Sequence, residues 1–296
     1  MMRIMLLALT NLAVMVVLYL TMNILGRLFG FQMNAGSMST FMIMALLMGF
    51  GGSFVSLLMS KSMAKSSMGV HVIEYPQTAQ ERWLVETVQR QAERAGIGMP
   101  EVGIFYSSAP NAFATGANRN SALVAVSQGL LENMTRDEVE AVLGHEIGHV
   151  ANGDMVTQTL LQGVVNTFVI VFARFLAIAL DSFFRRNADD RNEGPGMGFF
   201  IGEMLAQMVL GFLATAIVMW FSRWREFRAD HAGAELAGRQ KMINALRRLQ
   251  GAHAVHDLPG EMAAFGITGG LGEGLKKIFM THPPLEERIA ALENAR

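Results

Sequence analysis

Four stretches of the chain stay apolar for roughly the 20 residues needed to cross a hydrocarbon core, and they divide its polar residues into blocks. Residues 4–25 and 41–59 are almost free of charge. The first exceeds the usual apolar region of a secretory signal and no small-residue cleavage site follows it, so it reads as a retained anchor. Residues 160–180 contain Gln162, Asn166 and Arg174, and residues 197–221 contain Glu203 and Gln207. Polar groups in such segments predict spans buried against other helices, or long helices only partly in lipid. With a turn near 183–196 and a rise of about 1.5 Å per residue, Arg174 and Glu203 reach similar depth and can pair. The alternative is a snorkelling arginine. Gly26-Arg27-Leu28-Phe29-Gly30 matches the small-xxx-small helix-pairing pattern, but at the end of a span, where a Gly-containing turn explains it equally.

The polar blocks show other periods. Thr78 with Glu81 is a capping box, after which Trp83, Leu84, Val88, Ala92 and Ala95 recur at helical spacing up to Gly96. Residues 102–106, 111–114 and 122–127 read as short strands, the last two separated by a Gly-Ala-Asn-Arg-Asn turn cluster. Thr135 with Glu138 is a second capping box, opening a helix that runs through His149 and stops near Gly153. The glycine-rich stretch 268–274 follows no expected strand and lacks a P-loop lysine, so it reads as a loop. The fold class expected is a helical membrane anchor plus a mostly α, α+β domain with a small sheet. Its divisions are a two-span anchor at 1–60, a core at 61–155, a second apolar hairpin at 156–222, and the remainder of the polar domain at 223–296. Arg3, Lys61, Lys65, Arg223, Arg225 and Arg228 flank the spans on the side of the polar blocks, against Arg27, Arg185, Arg186 and Arg191 opposite. That bias favours a cytoplasmic position for the blocks.

Composition narrows the chemistry. A net charge of −1, with no basic-aromatic alternation, argues against a nucleic-acid partner. A chain without cysteine builds any metal site from His, carboxylate and water. His145-Glu146-Ile147-Gly148-His149 is such a pattern, inside an expected helix. Residues four apart lie one turn above each other, so both imidazoles can face one ion while Glu146 stands beside them, within reach of a water. A catalytic zinc takes three protein ligands and leaves a fourth position open. The best candidate for the third is Glu226, in Glu226-Phe227-Arg228-Ala229-Asp230, on a helix continuing out of the fourth apolar stretch. Asp230, four residues on, shares its face and could support a ligand imidazole, but spacing alone does not say which carboxylate binds. Among Arg223, Arg225 and Arg228 the pair could also be a solvated charged face.

The run from His145 to Met155, an apolar hairpin after it, Arg223-Trp224-Arg225-Glu226-Phe227-Arg228-Ala229-Asp230, and Thr281-His282-Pro283-Pro284-Leu285-Glu286-Glu287-Arg288 together resemble the HtpX-type family of heat-shock proteases. Asn111 to Gly116, Leu123 to Ser127 and the paired spans at the start fit the same family. The resemblance covers essentially the whole chain. It implies a zincin-like (gluzincin) fold related to the CAAX prenyl proteases and one zinc ion per chain, with Glu226 as third ligand beside His145 and His149 and with Asp230 supporting. It further implies a bacterial inner-membrane endopeptidase of the stress response, whose substrates are misfolded membrane proteins.

In that chemistry Glu146 is the general base, taking a proton from water and later delivering it to the leaving amine. His282 and Arg288 are candidate donors to the tetrahedral oxyanion. The strand at Asn111, Ala112, Phe113 and Ala114 is a candidate edge for pairing with an extended peptide, which would read main chain more than side chains. Two other functions remain compatible with the residues: a zinc-dependent hydrolase of a non-peptide bond, and an inactive membrane scaffold.

Overall fold

The structure, a computed structural model, describes residues 20, 24, 35–185, 197–256 and 282–295. Most of the expected first span, the small-residue pattern at 26–30, the turn at 186–196 and the glycine-rich stretch at 268–274 lie outside the described residues. In chain order the elements are α1 (Ala35–Met68), β1 (His71–Val72), α2 (Ala79–Ala95), β2 (Glu101–Phe105), β3 (Ala112–Thr115), β4 (Leu123–Ser127), α3 (Gln128–Asn133), α4 (Arg136–Asn152), α5 (Asp154–Arg185), α6 (Met197–Ala237), α7 (Arg239–His256) and α8 (Leu285–Asn294). Packing groups them into two compact units, one of Met1–Val55 with Thr159–Val218, the other of Ser56–Gln158 with Met219–Arg296.

The first unit is made of apolar helices. Among the described residues, α1, α5 and α6 are the helices long and apolar enough to cross a membrane. Met38, Met42 and Ala45 of α1 pack against Val171 and Phe175 of α5. Gly49 permits that approach, because a Cβ there would lie 2.2 Å from Thr167 Oγ1 and 2.7 Å from its backbone nitrogen. Leu47, Met48, Met208 and Phe212 are more than half exposed, an apolar surface of the kind that a bilayer would cover. The expected polar pair forms: Arg174 Nη1 is 3.2 Å from Glu203 Oε2. The guanidinium also lies over the rings of Phe199, at 4.4 Å, and Phe41, at 5.6 Å.

In the second unit a four-stranded sheet runs in the order β1-β2-β4-β3. β1 pairs antiparallel with β2, β2 parallel with β4, and β4 antiparallel with β3. Every residue of β4 is buried, so the sheet's centre is apolar throughout, while β3 is half-buried along its length and forms an edge. The strands fall within a residue of the expected ranges; β1, α3, α7 and α8 were not legible in the sequence pattern. Both capping boxes form, Thr78 with Glu81 and Thr135 with Glu138, and both helices end on the expected glycines, Gly96 (φ 66) and Gly153 (φ 67), in the left-handed region. Leu84, Val88, Leu143, Ile147, Met242 and Leu246 knit α2, α4 and α7 into one core with the sheet.

Candidate metal centre

α4 carries two of the three candidate donors. His145 and His149 sit one turn apart, with ring centroids 4.7 Å apart and planes at 89°. The third element arrives through small residues. A Cβ on Gly148 would lie 2.7 Å from Ala232 Cβ, and one on Gly144 would lie 3.2 Å from Gly233 Cα. α6 therefore lies nearly backbone to backbone on α4. That close approach turns Glu226, 3% exposed, toward the two imidazoles. The far end of α6 is held by Arg94 of α2, which donates to the carbonyls of Leu236 at 2.5 Å and Glu235 at 2.9 Å.

The donor atoms converge. His145 Nε2 and His149 Nε2 are 3.2 Å apart, His149 Nε2 is 3.3 Å from Glu226 Oε1, and His145 Nε2 is 3.6 Å from Glu226 Oε2. Ligands at about 2.0–2.1 Å from a tetrahedral zinc are separated by roughly 3.3–3.4 Å, and the two imidazole nitrogens have close to that separation, with one oxygen of the Glu226 carboxylate near each of them. Two imidazole nitrogens and a carboxylate fit a small divalent cation. Glu226 Oε2, buried and within ion-pair distance of Arg288 and His282, receives a well-aligned hydrogen bond from neither.

Each imidazole is backed on its other nitrogen. Asp230 Oδ1 is 3.0 Å from His145 Nδ1, and Asp154 Oδ2 is 2.7 Å from His149 Nδ1. Both rings can therefore place their proton on Nδ1 and a lone pair on Nε2, toward the centre. Burial lowers the His149 pKa, but hydrogen bonds to Asp154 and Glu226 outweigh it and raise it to about 10. A bound cation competes with that proton.

Arg288 enters from α8. Its Nε is 2.7 Å from Asp230 Oδ2, its Nη2 is 2.5 Å from Asp230 Oδ1, and its Nη1 is 3.2 Å from Glu226 Oε2. Burial disfavours its charge, yet the Asp230 carboxylate raises its pKa above the ordinary arginine value. Pro284, the N-cap of α8, sets this entry, its carbonyl accepting from Arg288 N at 3.2 Å. His282 lies 2.7 Å from Glu226 Oε2 with 60% of its side chain exposed. Glu146 is half-buried beside His145, its charge acting on His149 and Arg288. β3 packs against α4, and Asn111 sits at its start, its carbonyl accepting from Ser127 N at 2.8 Å. The sequence reading named neither Asp154 nor Arg225 as parts of the site. The signal was an aspartate following a helix-ending glycine, five residues past the second histidine.

Helices long and apolar enough to cross a membrane, a small mixed sheet and a buried His-His-Glu cluster fit a membrane-bound metalloprotease. The chain belongs to peptidase family M48, whose model matches residues 78–296. It is 58% identical to Protease HtpX of Xanthomonas axonopodis pv. citri (strain 306) over 293 residues, 99% of this chain and 97% of that protein. It is also 57% identical to Protease HtpX of Thioalkalivibrio sulfidiphilus (strain HL-EbGR7), covering 98% of each. The crystal structure of S. mikatae Ste24p shares the fold, with a TM-score of 0.63 at 19% identity, over 99% of this chain and 66% of that one.

Proposed function

We propose that the protein is a zinc endopeptidase of the bacterial inner membrane, with its catalytic residues on the cytoplasmic side, and that it hydrolyses misfolded membrane proteins under stress. The observation that carries the metal assignment is the convergence of His145, His149 and Glu226, with 3.2 Å between the two Nε2 atoms, 3.3 Å from His149 to one Glu226 oxygen and 3.6 Å from His145 to the other. The sequence resemblance to heat-shock proteases supports the quality-control role, and the excess of flanking Arg and Lys beside the polar blocks supports the orientation. The anchor at 1–60, core at 61–155, apolar hairpin at 156–222 and C-terminal portion at 223–296 are the working divisions of the chain.

Zinc, when bound, polarises the scissile carbonyl and acidifies a water. Glu146 accepts a proton from that water and delivers it to the leaving amine nitrogen. Asp230 keeps the His145 ring oriented through Nδ1. Of the two candidate oxyanion donors, Arg288 has its nitrogens turned to the Asp230 and Glu226 carboxylates, which leaves His282, exposed at the edge of the centre, better placed to turn toward substrate. Exposed Asn111 and the half-buried edge strand that follows it through Ala112, Phe113 and Ala114 can take an extended peptide by main-chain pairing, consistent with broad specificity.

The test is zinc stoichiometry together with casein cleavage, comparing wild type with Glu146→Gln in detergent. The amide keeps the glutamate's shape but cannot take the proton, so the expected result is one zinc per chain in both proteins and hydrolysis only in the wild type. Cleavage by the variant within a few-fold of wild type would overturn the mechanism.

A further inference from the structure

We infer that Asp154 is the positioning carboxylate of His149 and that Arg225 holds Asp154 in place, an inference resting on His145, His149 and Glu226 as the metal ligands. The local chain explains how Asp154 reaches the ring. α4 stops at Gly153, whose φ of 67° only glycine adopts readily, and the Gly153 N–H closes the helix onto the carbonyls of His149 and Val150. α5 begins at the next residue, with Thr157 N and Thr157 Oγ1 donating to the Gly153 carbonyl at 3.1 and 3.0 Å. The turn at Gly153 sets a residue five positions past His149 against the Nδ1 edge of its ring. Asp154 Oδ2 thereby sits 2.7 Å from Nδ1 in a site where the aspartate is 3% exposed.

Aspartate is common in the first turn of a helix for its interaction with the dipole alone. Burial distinguishes this one, because a carboxylate removed from water needs partners. One is the His149 N–H. The second influence is the charge of Arg225, 7% exposed, which acts on both Asp154 and Glu226, while its Nη1 donates at 2.7 Å to the backbone carbonyl of Asp154 and not to the carboxylate. The guanidinium rests over the Phe221 ring at 5.4 Å and its buried Nε makes no hydrogen bond, so Asp154 is its main polar anchor among the described residues. Arg225 precedes Glu226 on α6. One arginine thus fixes the start of α5 against the stretch of α6 that supplies the third ligand, and the two aspartates brace the two imidazoles from different helices.

The experiment uses the full chain in detergent and measures zinc affinity by competition with a chromophoric chelator, alongside the visible spectrum of the cobalt-loaded protein. Asp154→Asn, which keeps size and an acceptor oxygen but loses the charge, should weaken zinc by about 10–100-fold, with Asp154→Ala at least as weak. Arg225→Met should weaken zinc by a smaller factor, Arg225→Lys should recover part of that loss, and Asp154→Asn with Arg225→Met should bind no more weakly than Asp154→Asn alone. Asp154→Asn should also change the cobalt absorption bands, which a loss of folding stability alone would not do while the metal stays bound. Zinc affinity in Asp154→Asn within twofold of wild type, with metal lost in Glu226→Ala, overturns the role of Asp154 and leaves the ligand assignment standing. Full zinc in Glu226→Ala overturns the ligand assignment itself. Multiplicative losses in the double variant overturn the part given to Arg225.

Discussion

Arg288 forks onto Asp230, with Nε 2.7 Å from one carboxylate oxygen and Nη2 2.5 Å from the other, while the same carboxylate stands 3.0 Å from His145 Nδ1. The pair joins α8 to α6, and through Asp230 it reaches a donor on α4. Arg288 is 6% exposed, so removing either partner strands a buried charge, a loss of about 3–5 kcal/mol in comparable sites.

The first prediction concerns order within the acidic pair on α6. Glu226→Ala removes one of three donors and should lose both metal and activity, whereas Asp230→Ala removes an orienting group and should weaken metal or activity by about 10–100-fold. Arg288→Lys keeps the charge but not the fork, so it should fall between wild type and Asp230→Ala. Zinc stoichiometry in each variant, with compactness checked by size exclusion in detergent, decides it. A metal-free Asp230→Ala beside a fully loaded Glu226→Ala would reverse the assignment.

A second prediction follows from how closely α4 and α6 approach. Gly148→Ala places a methyl 2.7 Å from Ala232 Cβ and 3.3 Å from the Ala229 carbonyl oxygen. Overpacking of this kind costs about 1–3 kcal/mol and would push Glu226 away from the imidazoles. The variant should melt lower and hold less zinc. Adding Ala232→Gly should restore part of both, since it removes the nearest obstacle; no recovery in either readout would mean that the contact does not set the spacing.

What was legible in the sequence followed from short-range chemistry. Thr135, Glu138 and Gly153 mark the two ends of α4, and His145 and His149 fall on one face by period alone. The long apolar runs likewise gave α5 and α6, and the expected continuation of the fourth run as a helix carrying Glu226 is met by α6 running on to Ala237. Asp154 escaped because its contact depends on the turn at one left-handed glycine, which no periodic pattern encodes. Arg288 meets Asp230 across 58 residues of sequence, and that pairing has no local signature. β1, two residues long, is shorter than any alternation could reveal.

A third prediction is a pH dependence outside the centre. Glu140 on α4 lies 2.6 Å from Arg90 Nη2 and 2.7 Å from Lys241 Nζ, tying α2 and α7 to the histidine helix. Burial raises its pKa, but hydrogen bonds to Lys241 and Arg90 outweigh that and hold it below the ordinary value of 4.5. A depressed folded-state pKa contributes stability that is present above the unfolded value and lost as pH falls through the folded one. Glu140→Gln should therefore lower the melting temperature near neutrality, and the difference from wild type should shrink as pH drops below about 4.5. Thermal unfolding across that range measures it, and a pH-independent difference would argue for a packing effect instead.

The last prediction concerns Arg174 and Glu203, paired at 3.2 Å between two apolar helices. Either charge alone in hydrocarbon is costly, and the cost falls when it is paired. Arg174 has additional support from the faces of Phe199 and Phe41, so Glu203→Gln should be the milder single change: the guanidinium keeps its aromatic contacts, whereas Arg174→Gln leaves the glutamate without its cation. Exchanging the two residues, Arg174→Glu with Glu203→Arg, should recover part of the stability lost in Arg174→Glu alone, because the pair reforms but the arginine no longer projects from α5 toward those rings. Resistance to thermal aggregation in detergent, scored for the four proteins of the swap cycle, gives the coupling directly. A double variant no more stable than the worse single would mean that each side chain reaches polar surroundings independently, and the 3.2 Å contact would then contribute nothing measurable.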